Sequence, residues 1–186
     1  MVLAAGFSSR AGTFKMTCEL AGKTVIERCI DGMYDLCDRV IVVGGYRIGA
    51  LSFLINRYRR LKIIYNEDYV SGMFSSVRCG LLDASAGRVF VTPGDYPLIG
   101  PLVYKAMLDT DGEIVLPSYL GCTGHPALLA RSAVERLLYG DWDNLHAFIE
   151  DTAYTTVAVN EPGILIDLDT PEDFQRIASG GAAWST

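Results

Sequence analysis

Short apolar runs rich in β-branched residues recur along this chain at positions 40–43, 61–65, 89–92, 114–116, 155–159 and 164–168, most of them closed by Gly, Pro, Asn or Asp. Runs of that length bounded by turn residues read as buried strands. Between the first of them lie stretches with helical periodicity. Val25, Ile26, Cys29, Ile30, Met33 and Leu36 fall on one face, and Leu51, Leu54, Ile55 and Tyr58 on another. With a first strand over residues 2–5, strand and helix alternate. That alternation predicts a mainly parallel central sheet with helices on both faces, a three-layer α/β/α sandwich. Sheets of this kind bind ligands beyond the carboxyl ends of their strands.

The rhythm loosens after residue 117. A glycine-rich loop is expected over 119–124, a strand over 126–130, and short helices over 133–139 and 144–150, together forming a lid or a wall on one side of the ligand site. Thr170-Pro171-Glu172-Asp173 is a strong helix start, with a capping hydroxyl, proline in the first turn and acids suited to the helix dipole. A length of 186 residues suits one domain, here expected over 1–178, with the Gly/Ala-rich residues 179–186 as a flexible tail.

The formal net charge of -6 gives no field to draw a nucleic-acid backbone. No apolar run approaches the roughly 18–20 residues that span a bilayer, so no membrane partner is expected. Cys18, Cys29, Cys37, Cys79 and Cys122 are odd in number and form no CxxC pair. Neither a zinc site nor a full disulfide framework follows, and a reducing cytoplasm fits. What remains is a small anionic ligand, held by basic residues gathered locally against the overall charge.

One segment gathers them. Leu3-Ala4-Ala5-Gly6-Phe7-Ser8-Ser9-Arg10-Ala11-Gly12-Thr13-Phe14-Lys15 leaves the first strand with two glycines, two serines and two cations. Small residues let backbone N–H groups approach an anion, and Arg10 and Lys15 supply charge. Neither the GxGxxG nor the GK[ST] phosphate loop fits, and an ordinary basic surface turn has the same composition. Acids close two of the runs, as Gly94-Asp95-Tyr96-Pro97 and as Asp167-Leu168-Asp169. Strand alternation would point Asp167 and Asp169 to the same side. Two carboxylates held about 4 Å apart repel by roughly 4 kcal/mol at an effective dielectric of 20, which a cation relieves. Mg²⁺ suits oxygen ligands shared with phosphates. A local turn at Asp95 and a helix cap at Asp169 are the plainer alternatives.

The first segment resembles the LAAGxSxRMGxxK signature of the MobA-like nucleotidyltransferases, departing at Ala11, where methionine is usual. Gly94-Asp95-Tyr96-Pro97-Leu98-Ile99 is similar to that family's GDxPLI motif, and Asp167 through Asp173 to its D-x-D-TPED ending. The resemblance runs from Val2 to about Phe174. It implies a Rossmann-like nucleotidyltransferase fold and metal-dependent transfer of a nucleoside monophosphate from a triphosphate to a phosphorylated acceptor. Leu3, Ala4, Ala5, Gly6, Ser8 and Ser9 would bind the nucleotide. Arg10, Lys15 and Asp95 would bind it and act in catalysis, and Asp95 and Asp167 would hold Mg²⁺, with Asp169 left open.

The Ala4-Ala5 form is associated with members that use CTP, whereas guanylyl-transferring relatives read LAGG. Asn66 through Val77 resembles the NxxxxxGMSSS region of the molybdenum cofactor cytidylyltransferase branch, which implies nucleotide contacts from Asn66, Gly72, Ser75 and Ser76. Gly121-Cys122-Thr123-Gly124-His125-Pro126 resembles the GxxGHP loop of the same branch. It implies acceptor contacts from Gly124, His125 and Pro126, with His125 binding rather than catalytic. The implied reaction is attack of the terminal phosphate of molybdopterin on the α-phosphorus of CTP with loss of pyrophosphate, followed by transient contact with a molybdenum hydroxylase. Transfer to a sugar or polyol phosphate, and a non-catalytic role in hydroxylase maturation, stay open.

Overall fold

The computed structural model describes residues 1–7 and 13–178, so Ser8, Ser9 and Arg10 of the first loop, and the expected tail 179–186, lie outside the described residues. The elements in chain order are β1 (Val2–Ala4), β2 (Glu19–Leu20), β3 (Lys23–Thr24), α1 (Val25–Tyr34), β4 (Val40–Gly44), α2 (Phe53–Arg57), β5 (Leu61–Tyr65), α3 (Met73–Asp83), β6 (Arg88–Pro93) and α4 (Pro101–Leu108). They continue with β7 (Ile114–Tyr119), β8 (Cys122–Thr123), β9 (Ala127–Ala130), α5 (Arg131–Tyr139), α6 (Leu145–Asp151), β10 (Thr155–Ala158) and α7 (Pro171–Ala178).

The expected alternation builds a sheet of order β10-β7-β9-β6-β1-β4-β5, with β8 hairpinned onto β7. Strand β1 runs parallel to β4 and β6, β4 to β5, and β7 to β10, whereas β9 is antiparallel to both of its neighbours. Period-two alternation divides the strand side chains between two layers. Val2, Val40, Val42, Phe90, Val115 and Leu128 face α1 and α4, packing on Ile26, Ile30, Met33, Val103 and Met107. Leu3, Ile41, Val43, Val89, Val91 and Leu129 face α3, α5 and α6, packing on Val77, Leu81, Val134, Leu137 and Phe148. Helix α1 starts where it does because Thr24 and Glu27 form a reciprocal capping box. Among the described residues no helix is long and apolar enough to cross a membrane.

Three expectations are corrected. Residues 164–168 are not a strand: Pro162–Leu165 forms a 3-10 turn and the chain then runs irregularly to α7. Proline opens the turn without an N–H to lend a ladder, and the segment crosses the strand ends instead of joining the sheet. It is held by single bonds, His125 N–H to Ile164 O at 3.0 Å and Leu168 N–H to Asp95 O at 2.9 Å. Ile164 and Leu168 are apolar because they are buried, which periodicity over so short a run cannot tell from strand membership. The part after residue 117 is not simply a lid or wall, since β9 lies in the middle of the sheet between β6 and β7. The helical stretch at 51–58 breaks into a 3-10 turn, Ile48–Leu51, and the short α2.

Candidate active site

Strand β1 has a partner on each side, and the chain reaches β4 through α1 on one face of the sheet and β6 from α3 on the other. A crevice therefore opens at the carboxyl end of β1, the usual place for a ligand in such sheets. It holds a cleft of about 390 Å³. The end of β1 supplies Leu3, Ala4, Ala5 and Gly6 to its wall, the start of α3 supplies Gly72, Met73 and Ser76, and the end of β6 and the turn after it supply Pro93 and Asp95. Gly72 precedes α3 with φ of 103°, a left-handed conformation that glycine takes without strain.

At the floor of the cleft three segments meet. Lys15 opens a 3-10 turn whose flanking Phe14 and Met16 are buried, so the backbone is fixed and the amine reaches inward. Its Nζ donates to Asp95 Oδ2 at 2.5 Å and to Asp169 Oδ1 at 2.8 Å. These side chains are only 13%, 17% and 18% exposed. Burial works to lower the Lys15 pKa, but the charges and hydrogen bonds of Asp95 and Asp169 outweigh it and hold the ammonium above its ordinary value. The other oxygen of Asp95, Oδ1, is buried and has no hydrogen-bond partner among the described residues. Asp167 stands in the same field without a bond to Lys15. Burial, then the charges of Asp169 and Asp95, push its carboxyl above the usual range. Burial and the same three aspartates push the Tyr96 hydroxyl up to about 12.

No three His, Cys, Asp or Glu side chains among the described residues are grouped as a self-sufficient metal cage. A buried, unpartnered carboxylate oxygen beside two further acids instead suits a hard cation that shares its shell with substrate phosphates and water, as Mg²⁺ does.

The sequence-predicted residues do not all converge. Lys15 and Asp95 meet, and the carboxylate that joins them is Asp169 rather than Asp167. Asn66 is buried and spent on internal bonds: its Nδ2 donates to Ser75 Oγ at 2.8 Å and Ser76 Oγ at 3.0 Å, and its Oδ1 accepts from the Asp68 N–H at 3.0 Å. It shapes the turn into α3, and neither it nor Ser75 lines the cleft. His125 lies on a second cavity of about 310 Å³ that shares the wall of Leu3, Met73 and Pro93 with the first. Its ring packs on Tyr96 with centroids 4.5 Å apart. Burial lowers its pKa, against the opposing charge of Asp95, which favours the uncharged imidazole. Gly124 and Pro126 flank it without lining either cavity. Phe7, Tyr69, Val70 and Met73 also line the first cleft. Sequence reasoning missed them, because single apolar residues in a loop, a short turn or the first position of a helix carry no periodic signal.

With this geometry in place the likenesses to known proteins have a physical footing. The profile of the MobA-like NTP transferase domain matches residues 1–153. The molybdenum cofactor cytidylyltransferase of Escherichia coli is 29% identical over 94% of this chain and 92% of its own. A probable molybdenum cofactor guanylyltransferase of Aquifex aeolicus is 29% identical over 95% of this chain and 88% of its own. Among solved structures, Rv0371c of Mycobacterium tuberculosis superposes with a TM-score of 0.80 at 23% identity over 96% of both chains. The same protein was also solved in complex with manganese, with a TM-score of 0.74 at 20% identity over 96% of both chains. These structures share the fold, and the profile covers most of the sequence: the chain belongs to the MobA-like NTP transferase family and is a nucleotidyltransferase.

Proposed function

We propose that the protein transfers CMP from CTP to molybdopterin with release of pyrophosphate. The observation that carries this reading is the junction of Lys15, Asp95 and Asp169 at the floor of a cleft walled by the end of β1 and the start of α3. The Ala4-Ala5 pair supports cytidine over guanosine, while relatives of both kinds stand at the same 29% identity.

An oxygen of the acceptor's terminal phosphate forms a bond to the α-phosphorus, the bond from that phosphorus to the bridging oxygen breaks, and pyrophosphate leaves with the electron pair. The acceptor is already anionic, so positioning and charge neutralisation carry the catalysis and no strong base is needed. Leu3 through Gly6 and Ser76 would hold the nucleotide, with Gly72 allowing its close approach to the start of α3. Lys15, together with Arg10, would neutralise charge developing toward pyrophosphate. Asp95, with Asp167 and Asp169 beside it, would hold Mg²⁺, which supplies Lewis-acid stabilisation of the phosphate oxygens. His125 would face the acceptor from the second cavity. Its apolar wall of Leu3, Phe74, Val77 and Val91, with Asn144 and Asp143 at the edge, suits a flat ring with polar margins.

The test is incubation with molybdopterin, a sugar phosphate or no acceptor, in the presence of CTP and Mg²⁺, scored by pyrophosphate release. Release that requires molybdopterin supports the reading. Release with the sugar phosphate alone replaces the acceptor, and no release in any arm leaves the maturation-partner alternative.

A further inference from the structure

The ammonium of Lys15 sits where a cation bridging two carboxylates would sit. It is 2.5 Å from Asp95 Oδ2 and 2.8 Å from Asp169 Oδ1, on side chains from three separate chain segments. It takes one oxygen of Asp95 and leaves the buried Oδ1 unpartnered. A hard divalent ion drawn to the same two carboxylates would lie within a few ångströms of the ammonium, where the like charges repel strongly enough to disfavour both being seated at once. The lysine has somewhere to go without disturbing the fold. Phe14 and Met16 pin the backbone on either side, and the four-carbon stem is free to rotate into the cleft that Lys15 itself lines.

We propose that Lys15 and the divalent cation are alternative occupants of the seat formed by Asp95 and Asp169, so that the metal enters as Lys15 leaves for the nucleotide's phosphates. Asp169 then holds the lysine on the metal's seat until a triphosphate arrives. The destination of the lysine rests on the nucleotide reading of the cleft; the exchange at the carboxylates does not. A consequence is that metal alone binds weakly and metal with triphosphate binds synergistically, which guards the two acids against free metal.

The test uses the whole chain and Mn²⁺, titrated without nucleotide and followed by the electron paramagnetic resonance of free Mn²⁺, with thermal unfolding in parallel. Lys15→Met should bind Mn²⁺ at least roughly tenfold more tightly than wild type, and Lys15→Arg, which keeps the charge, should stay near wild type. Mn²⁺ should also raise the unfolding midpoint of Lys15→Met more than that of wild type. If Lys15→Met is unfolded without metal, its recovery on adding Mn²⁺ supports the exchange and failure to recover overturns it. Equal Mn²⁺ affinity in wild type and Lys15→Met overturns it as well. Because these arms contain no nucleotide, their failure leaves the transfer reading standing. Absence of transfer alongside an intact exchange removes the transfer reading alone.

Discussion

Gly124→Ala is the substitution whose effect the structure predicts most directly. A Cβ on Gly124 would lie 2.3 Å from the Ile164 carbonyl oxygen, 2.9 Å from its carbonyl carbon and 3.0 Å from Ile164 Cγ1. The nearest of these is backbone, and Ile164 is fully buried in the core, so no flexible side-chain tip can yield. Reaching ordinary contact means parting the two segments by roughly 1 Å in a close-packed interior. That separation breaks the 3.0 Å bond from the His125 N–H to Ile164 O. Overpacking costs about 1–3 kcal/mol and the lost hydrogen bond about 1 kcal/mol. The sum is about 2–4 kcal/mol, or a fall of roughly 5–15 °C in the unfolding midpoint for a domain of this size. The same shift moves His125 on one side and the segment bearing Asp167 and Asp169 on the other. Misplacement on that scale should lower kcat/KM for the acceptor by about 10–100-fold, with a fall for CTP as well because Asp169 lies in the nucleotide cleft. Urea unfolding and steady-state kinetics with each substrate varied in turn give both numbers. A variant within about 0.5 kcal/mol of wild type and with unchanged acceptor kinetics would refute the reasoning.

Two further outcomes follow from the electrostatics. The Asp167 carboxyl is held above its usual range, first by burial and then by Asp169 and Asp95. Its ionisation therefore costs stability as pH rises above about 4, and metal-free Asp167→Asn should be more stable than wild type at pH 7 by thermal unfolding; an unchanged or lower midpoint contradicts this. His125 has the opposite linkage. Its folded-state pKa lies below the unfolded value of about 6.5, so the unfolded chain binds more protons, and the stability it contributes is lost as pH falls below about 6.5. His125→Gln should flatten the difference between urea midpoints at pH 7.5 and pH 5.5, and an unaltered slope would show that this imidazole is not the group responsible.

Much of the fold was legible because its signals are local and consistent. The runs at 40–43, 61–65 and 89–92 became β4, β5 and β6, and the stripe from Val25 to Met33 became α1 behind its capping box. The position of β9 was not legible, since a four-residue apolar run announces a strand but not which neighbours it pairs with. Lys15 and Asp95 were singled out by the resemblance to the family's motifs, because residue type alone fits an ordinary basic turn and an acidic turn as well. The choice between Asp167 and Asp169 was beyond pattern reasoning, because side-chain alternation applies to a strand and this stretch is irregular chain tied by one bond to the Asp95 carbonyl. The role of Asn66 in its own turn was not legible either, because its bonds to Ser75, Ser76 and Asp68 depend on how the chain folds back before α3.

The proposed activity is transfer of CMP to molybdopterin at the charge cluster of Lys15 and Asp95. The most direct measurement incubates the folded protein with molybdopterin, CTP and Mg²⁺ and identifies the product by mass. The account predicts a molybdopterin cytosine dinucleotide and an equal amount of pyrophosphate from wild type, and neither from Lys15→Ala or Asp95→Ala at equal folded concentration. Absence of the dinucleotide from wild type, or near-normal formation by both variants, would contradict it.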